Sequence, residues 1–142
     1  MIACQTPSTA FDDDGVMRDL TEITWEQLKS NPKWMIAKLH GDREKSMPFT
    51  IRLKIPANEK VPPHWHPIVE HFNFVSGTFH LAPGECFDES RLRPLPAGSF
   101  ATMPAKHWHF AQTREETIVQ IHGVGPWNIN RVKCDGKPPA CP

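Results

Sequence analysis

No tyrosine occurs among the 142 residues, so no reaction here relies on a tyrosyl acid, a tyrosyl radical or a Cys–Tyr cross-link. Net charge is lacking as well. The 16 basic and 16 acidic residues cancel, which argues against nucleic acid or an anionic membrane as a generic partner. No apolar run approaches the roughly 20 residues of a membrane-spanning helix. The stretch Met1 to Asp14 lacks a basic start followed by an apolar segment, so no secretory signal is visible and a cytoplasmic location is the expectation. Cysteine is sparse and scattered: Cys4, Cys86, Cys134 and Cys141 form no pair at the short separation of a zinc motif. Cys134 and Cys141 could close a loop in an oxidising compartment, or all four could be free thiols.

What the chain has in quantity is punctuation. Fifteen prolines and eight glycines cut it into short segments, the pattern of an all-β sandwich or barrel rather than a helical bundle. The length suits a single domain with a real core. Strands are expected at residues 35–40, 49–55, 61–66, 70–75, 78–82, 100–103, 107–112, 117–122 and 128–132. Ser76-Gly77 is expected to close a hairpin, Ala97-Gly98-Ser99 to turn before a strand, and Gly123-Val124-Gly125-Pro126 to form a loop. Thr24 to Leu28 reads as a single helical turn capped by Thr24. The expected layout is an arm over residues 1–34, a β-domain over 35–132 and a tail over 133–142.

The chemistry concentrates in two segments. In His64-Trp65-His66-Pro67-Ile68-Val69-Glu70, alternation along a strand puts His64 and His66 on one face and Trp65 on the other. A bend at Pro67 would let Glu70 open the next strand and return a carboxylate to the same point. The second segment, Met103 to Phe110, repeats the alternation as His107-Trp108-His109. Imidazoles with one carboxylate suit Fe(II), Mn(II), Ni(II), Co(II) or Zn(II) rather than Ca(II) or Mg(II), which prefer all-oxygen shells.

These segments resemble the two motifs of the cupin superfamily. His64, His66, Glu70 and Gly77 reproduce the first motif's spacing; Gly98, Pro104 and His109 match the second. Three positions depart from the pattern: Asn58 and Lys106 stand where glycines are expected, and Thr113 replaces an asparagine. Asn is the non-glycine residue best able to take a left-handed turn, so the first departure is mild. The stretch from Pro56 to Val132 is also similar to a subgroup of small single-domain cupins.

The resemblance implies a cupin jelly-roll β-barrel (a double-stranded β-helix) around one small ligand. It implies His64, His66, Glu70 and His109 as ligands of one divalent transition metal, Fe(II) favoured over Mn, Ni, Zn or Co. Four protein ligands leave about two open positions on a six-coordinate ion, unlike a closed structural zinc site. The leading expectation is a dioxygenase cleaving a diketone, hydroxy-ketone or catechol-like substrate. A Lewis-acid isomerase, decarboxylase or hydrolase, and a non-catalytic metal- or ligand-binding sensor, are the alternatives. The lack of tyrosine tells against the thiol-dioxygenase branch, and a complete ligand set tells against the metal-free sugar epimerases. His122 and His107 are the candidate proton carriers, and Gln120, Phe72, Phe79, Met103 and Trp127 the candidate pocket wall; by alternation Gln120 and His122 share one strand face and line the cavity if that polar face looks inward. A homodimer is implied by family likeness, with Trp25, Leu28 and Trp34 available to pack on a neighbour.

Overall fold

A computed structural model describes residues 10–11 and 15–131. Its strands are β1 (Ala10–Phe11), β2 (Gly15–Val16), β3 (Glu26–Leu28), β4 (Asn31–His40), β5 (Pro48–Ile55), β6 (Lys60–Trp65), β7 (Glu70–Ser76), β8 (Thr78–Pro83), β9 (Arg93–Pro96), β10 (Phe100–Met103), β11 (His109–Thr113), β12 (Thr117–Val124) and β13 (Asn130–Arg131). Among the described residues there is no α-helix, only two 3-10 turns, Leu20–Glu22 and Glu89–Arg91. β1 and β2 pair with each other. The others build two antiparallel sheets, β10-β7-β12-β5-β4-β3 and β13-β6-β11-β8-β9. From β5 onward the chain passes back and forth between the sheets, with only β8 and β9 adjacent in one sheet. That winding is the double-stranded β-helix of a jelly roll.

Alternation explains why these residues make strands. In β5 the residues Phe49, Ile51, Leu53 and Ile55 are buried, while Thr50, Arg52 and Lys54 between them are not. β12 repeats this with Val119 and Ile121 inward, in register with β5 from Thr117 opposite Ile55 to Val124 opposite Pro48. Phe72 and Phe74 from β7 meet Phe79 and Leu81 from β8 across the interior, closing one apolar core between the sheets.

Several elements differ from the expectation. The helical turn at 24–28 is instead β3, paired antiparallel with β4. Five residues cannot nucleate a stable helix, whereas the β4 edge offers backbone partners and Leu28 gains burial in the core. The sheet thus begins inside the stretch read as an arm. The capped turn lies just upstream, where the Asp19 carboxylate accepts the Thr21 N–H at 2.7 Å and the Asp19 N–H donates to Glu22 Oε2 at 2.8 Å. Ser76-Gly77 closes no hairpin, because β7 and β8 belong to different sheets. Gly77 is the corner between them, at φ 71°, and a Cβ there would collide with the Glu116 carbonyl oxygen. β12 continues through Gly123 and Val124, so the expected loop starts only at Gly125. β9 went unforeseen because its sequence holds two prolines, which a sheet tolerates at an edge such as this one.

The departures from the cupin pattern have structural answers. Asn58 takes φ 61° and Lys106 φ 62°, so both keep the left-handed backbone of the glycines they replace. Thr113, fully buried, secures the Asn58 corner. Its hydroxyl donates to the Pro56 carbonyl at 2.6 Å and accepts the Glu59 N–H at 3.1 Å.

Candidate metal centre

β6 and β11 are neighbours, and their register sets His64 opposite His109. His66 follows at the end of β6, and the chain then crosses to the other sheet, where β7 opens on Glu70. The site therefore straddles the seam: three imidazoles from the five-stranded sheet and one carboxylate from the six-stranded sheet. Ring centroids lie 4.2 Å apart for His64 and His109, 4.9 Å for His64 and His66 and 5.5 Å for His66 and His109. One nitrogen from each ring lies within 4.8 Å of those from the other two. The outward residues of the two motifs also meet, Trp65 and Trp108 packing edge to face at 6.3 Å.

Backbone carbonyls set the tautomers. The Nδ1 of His64 is 2.8 Å from the Pro62 oxygen, that of His66 2.8 Å from the Asn128 oxygen, and that of His109 3.0 Å from the His107 oxygen. A carbonyl only accepts, so each Nδ1 carries the proton and each Nε2 keeps its lone pair, the form that binds a metal. Burial pushes all three imidazoles toward neutrality: His66 falls to about 3, His109 to about 4 and His64 below its usual value.

Glu70 is 1 % exposed. Burial raises its carboxyl to about 7, against the Trp127 hydrogen bond that lowers it. Trp127 Nε1 donates to Glu70 Oε1 at 2.8 Å, and the same indole stacks on His66 at 5.1 Å. Glu70 Oε1 is 3.3 Å from His66 Nε2, and Oε2 is 3.5 Å from His109 Nε2. With imidazoles this hard to protonate, these approaches are not ion pairs. Glu70 Oε2 is buried with no hydrogen-bond partner. An unpartnered oxygen so placed, 3.5 Å from His109 Nε2 and beside the histidine cluster, fits a divalent cation.

The centre opens into a cavity of about 740 Å³, large enough for a small organic ligand. Phe72, Phe79 and Trp127 line it, joined by Trp34, Arg43 and Arg131, which carry no motif signal. Gln120 and Met103 do not line it. Met103 sits opposite Glu70 on β10 and packs into the core. Gln120 and His122 share a face of β12, but it is the outer one: Gln120 accepts from Arg52 Nε at 2.9 Å, and His122 stacks on His71 at 4.6 Å. The inner positions go to Val119 and Ile121 because β12 lies within the sheet, where apolar side chains gain most from facing the core. His107 precedes β11, is exposed, and turns its Nδ1 to the Ala105 oxygen at 3.1 Å. Neither proposed proton carrier reaches the cavity. Cys86 is disulfide-bonded; Cys4, Cys134, Cys141 and Val132 lie outside the described residues. No helix among the described residues is long and apolar enough to cross a membrane.

A cupin fold with a buried histidine triad is what the geometry defines, and solved structures bear out the fold. A proposed acetylacetone dioxygenase from Methylibium petroleiphilum PM1 superposes with a TM-score of 0.65 over 87% of this chain and 85% of that one, at 16% identity. The polyketide cyclase RemF from Streptomyces resistomycificus gives 0.65 over 85% and 89%, at 14% identity. KdgF from Halomonas sp. gives 0.56 over 75% and 92%, at 16% identity. No protein-family model and no curated protein matches the sequence.

Proposed function

We propose that this protein is a metal-dependent enzyme, a dioxygenase acting on a small diketone, hydroxy-ketone or catechol-like substrate. The carrying observation is the cluster of three neutral imidazoles beside a buried carboxylate that approaches two of them and keeps one oxygen without a hydrogen-bond partner. His64, His66, His109 and Glu70 would hold one divalent transition metal, Fe(II) favoured over Mn, Ni, Zn or Co. With Fe(II) in place, the group would supply chelation of the substrate's two oxygens and its oxidation by dioxygen.

The chain's own residues do the rest. The Pro62, Asn128 and His107 carbonyls hold the imidazole planes, Trp127 fixes Glu70, and Phe72 and Phe79 keep water from the substrate body. Apart from the four proposed ligands, the titratable side chains that line the cavity among the described residues are Glu44, Lys60, Arg43 and Arg131. The likeness to a proposed acetylacetone dioxygenase supports the dioxygenase reading.

One observation favours a second reading. The close nitrogen cluster comprises the histidines alone, and Glu70 Oε1 is engaged by Trp127. Glu70 would then be the proton carrier beside a three-histidine Lewis-acid centre. Glu70→Gln decides between them: loss of metal supports ligation, while full metal with lost turnover supports proton transfer.

The primary test is elemental analysis of protein purified without chelator, beside His64→Ala and His109→Ala, followed by oxygen uptake with diketones and catechols. Near one equivalent of iron, absent from both variants and accompanied by uptake, is the expected result. Zinc, nickel or manganese without uptake moves the assignment to Lewis-acid chemistry or sensing, and no metal overturns it. The homodimer implied by family likeness stays part of this proposal; a monomer in sedimentation velocity at micromolar concentration removes it.

A further inference from the structure

We infer that the substrate carries an anionic group, a carboxylate or a phosphate, besides its chelating oxygens, and that Arg131 is the residue that binds it. This rests on the metal-site reading above and extends it to substrate class.

β13 is the edge strand of the five-stranded sheet, and its register places Arg131 opposite His64. Directly opposed residues project from the same face of a sheet, with Cβ atoms about 5 Å apart. Arg131 therefore stands on the cavity face beside a proposed metal ligand, and it does line the cavity. Its position is at the mouth, where the side chain is exposed.

The other cations on this wall are engaged. Arg43 lies over the Trp127 ring at 5.3 Å, and Lys60 over Phe87 at 5.0 Å. Among the described residues Arg131 has neither a carboxylate within ion-pair distance nor a ring beneath it.

The charge balance points the same way. Among the described residues, Arg43, Lys60 and Arg131 face only Glu44 and Glu70 across the cavity wall, and Glu70 is turned toward His66 and His109. A bound divalent ion would add to the excess of positive charge. A cavity of one sign concentrates ligands of the other, and a free guanidinium fork matches the two oxygens of a carboxylate or phosphate. The structure thus assigns three contacts to one substrate: chelating oxygens at the histidines, an apolar body against Phe72 and Phe79, and an anion at Arg131.

The test uses the full-length metal-loaded protein and three probes with the same chelating edge: 3,4-dihydroxybenzoate, its neutral isostere 3,4-dihydroxybenzamide, and 3,4-dihydroxyphenylphosphonate. Affinities are read by calorimetry for the wild type, Arg131→Met and Arg131→Lys. At least one anionic probe is expected to bind about tenfold or more tighter than the amide, as for a hydrogen-bonded charge pair. That preference should collapse toward unity in Arg131→Met and return in part in Arg131→Lys. Whether the carboxylate or the phosphonate gains more identifies the anion. Equal affinity for all three probes, or a preference that survives Arg131→Met, overturns the assignment of Arg131 and leaves the metal-site reading standing. If none of the probes binds, the chelation reading falls and this inference with it.

Discussion

Glu70 and Lys106 each hold an unusual state, and each yields a measurement. Burial keeps the Glu70 carboxyl at about 7, so without metal it is largely protonated at pH 6, whereas His66 and His109 are already neutral. Metal binding at pH 6 is therefore expected to release about one proton, falling toward zero at pH 8. Calorimetry in buffers of different ionisation enthalpy measures this, and Glu70→Gln should abolish the release. Lys106 sits at φ 62°, a backbone region that costs a side-chain-bearing residue about 1 kcal/mol relative to glycine. Its N–H donates to the His66 carbonyl at 2.7 Å, a bond that glycine would retain. Lys106→Gly should thus stabilise the protein by about 1 kcal/mol in chemical denaturation. At this scale the sequence was most legible where side chains carry the signal. His64, His66 and His109 cluster with Glu70 beside two of them, while the carbonyls of Pro62, His107 and Asn128 that orient the imidazoles have no residue-type signature at all.

Strand β12 shows what alternation can and cannot tell. Its period of two was readable, so Gln120 and His122 do share a face; which face turns inward depends on neighbours that a single strand does not reveal. Placed between β5 and β7, β12 gives its inner face to Val119 and Ile121. His122→Ala is therefore expected to leave metal content unchanged and to shift stability by less than about 0.5 kcal/mol, as checked by elemental analysis and thermal unfolding. Retained turnover would confirm that no proton passes through this residue. β3 and β9 were hidden for another reason. Both are short edge strands whose pairing partner, rather than their own composition, makes them strands. The Gly77 corner shows the same limit: its positive φ suits a hairpin turn and a change of sheet alike, and only the pairing of β7 and β8 in different sheets separates the two.

Across the whole molecule, the buried titratable groups set the acid limit of the metal-free protein. His66 and His109 have folded-state values well below the usual imidazole value of about 6.5, so their contribution is complete above that pH and is lost as pH falls toward about 3 and 4. Glu70 works in reverse: its raised value favours folding below about 4.5, and that advantage fades as pH rises through about 7. Two imidazoles outweigh one carboxyl. The chelator-treated protein should therefore lose about 3–5 °C in melting temperature between pH 7 and pH 5, and a His66→Gln, His109→Gln double variant should lose less. The fold class was legible in the proline and glycine punctuation, whereas the polar part of the cavity wall, Arg43, Glu44, Lys60 and Arg131, was not, because the wall is assembled from both sheets and the 127–131 segment. That same assembly bears on the mechanics of the fold. An ion gripped by His64, His66 and His109 on one side and by Glu70 on the other would be a rivet through the seam. In polymer terms it closes the chain loop between Glu70 and His109 without a covalent bond, and the entropy it removes belongs to the unfolded chain rather than to the site.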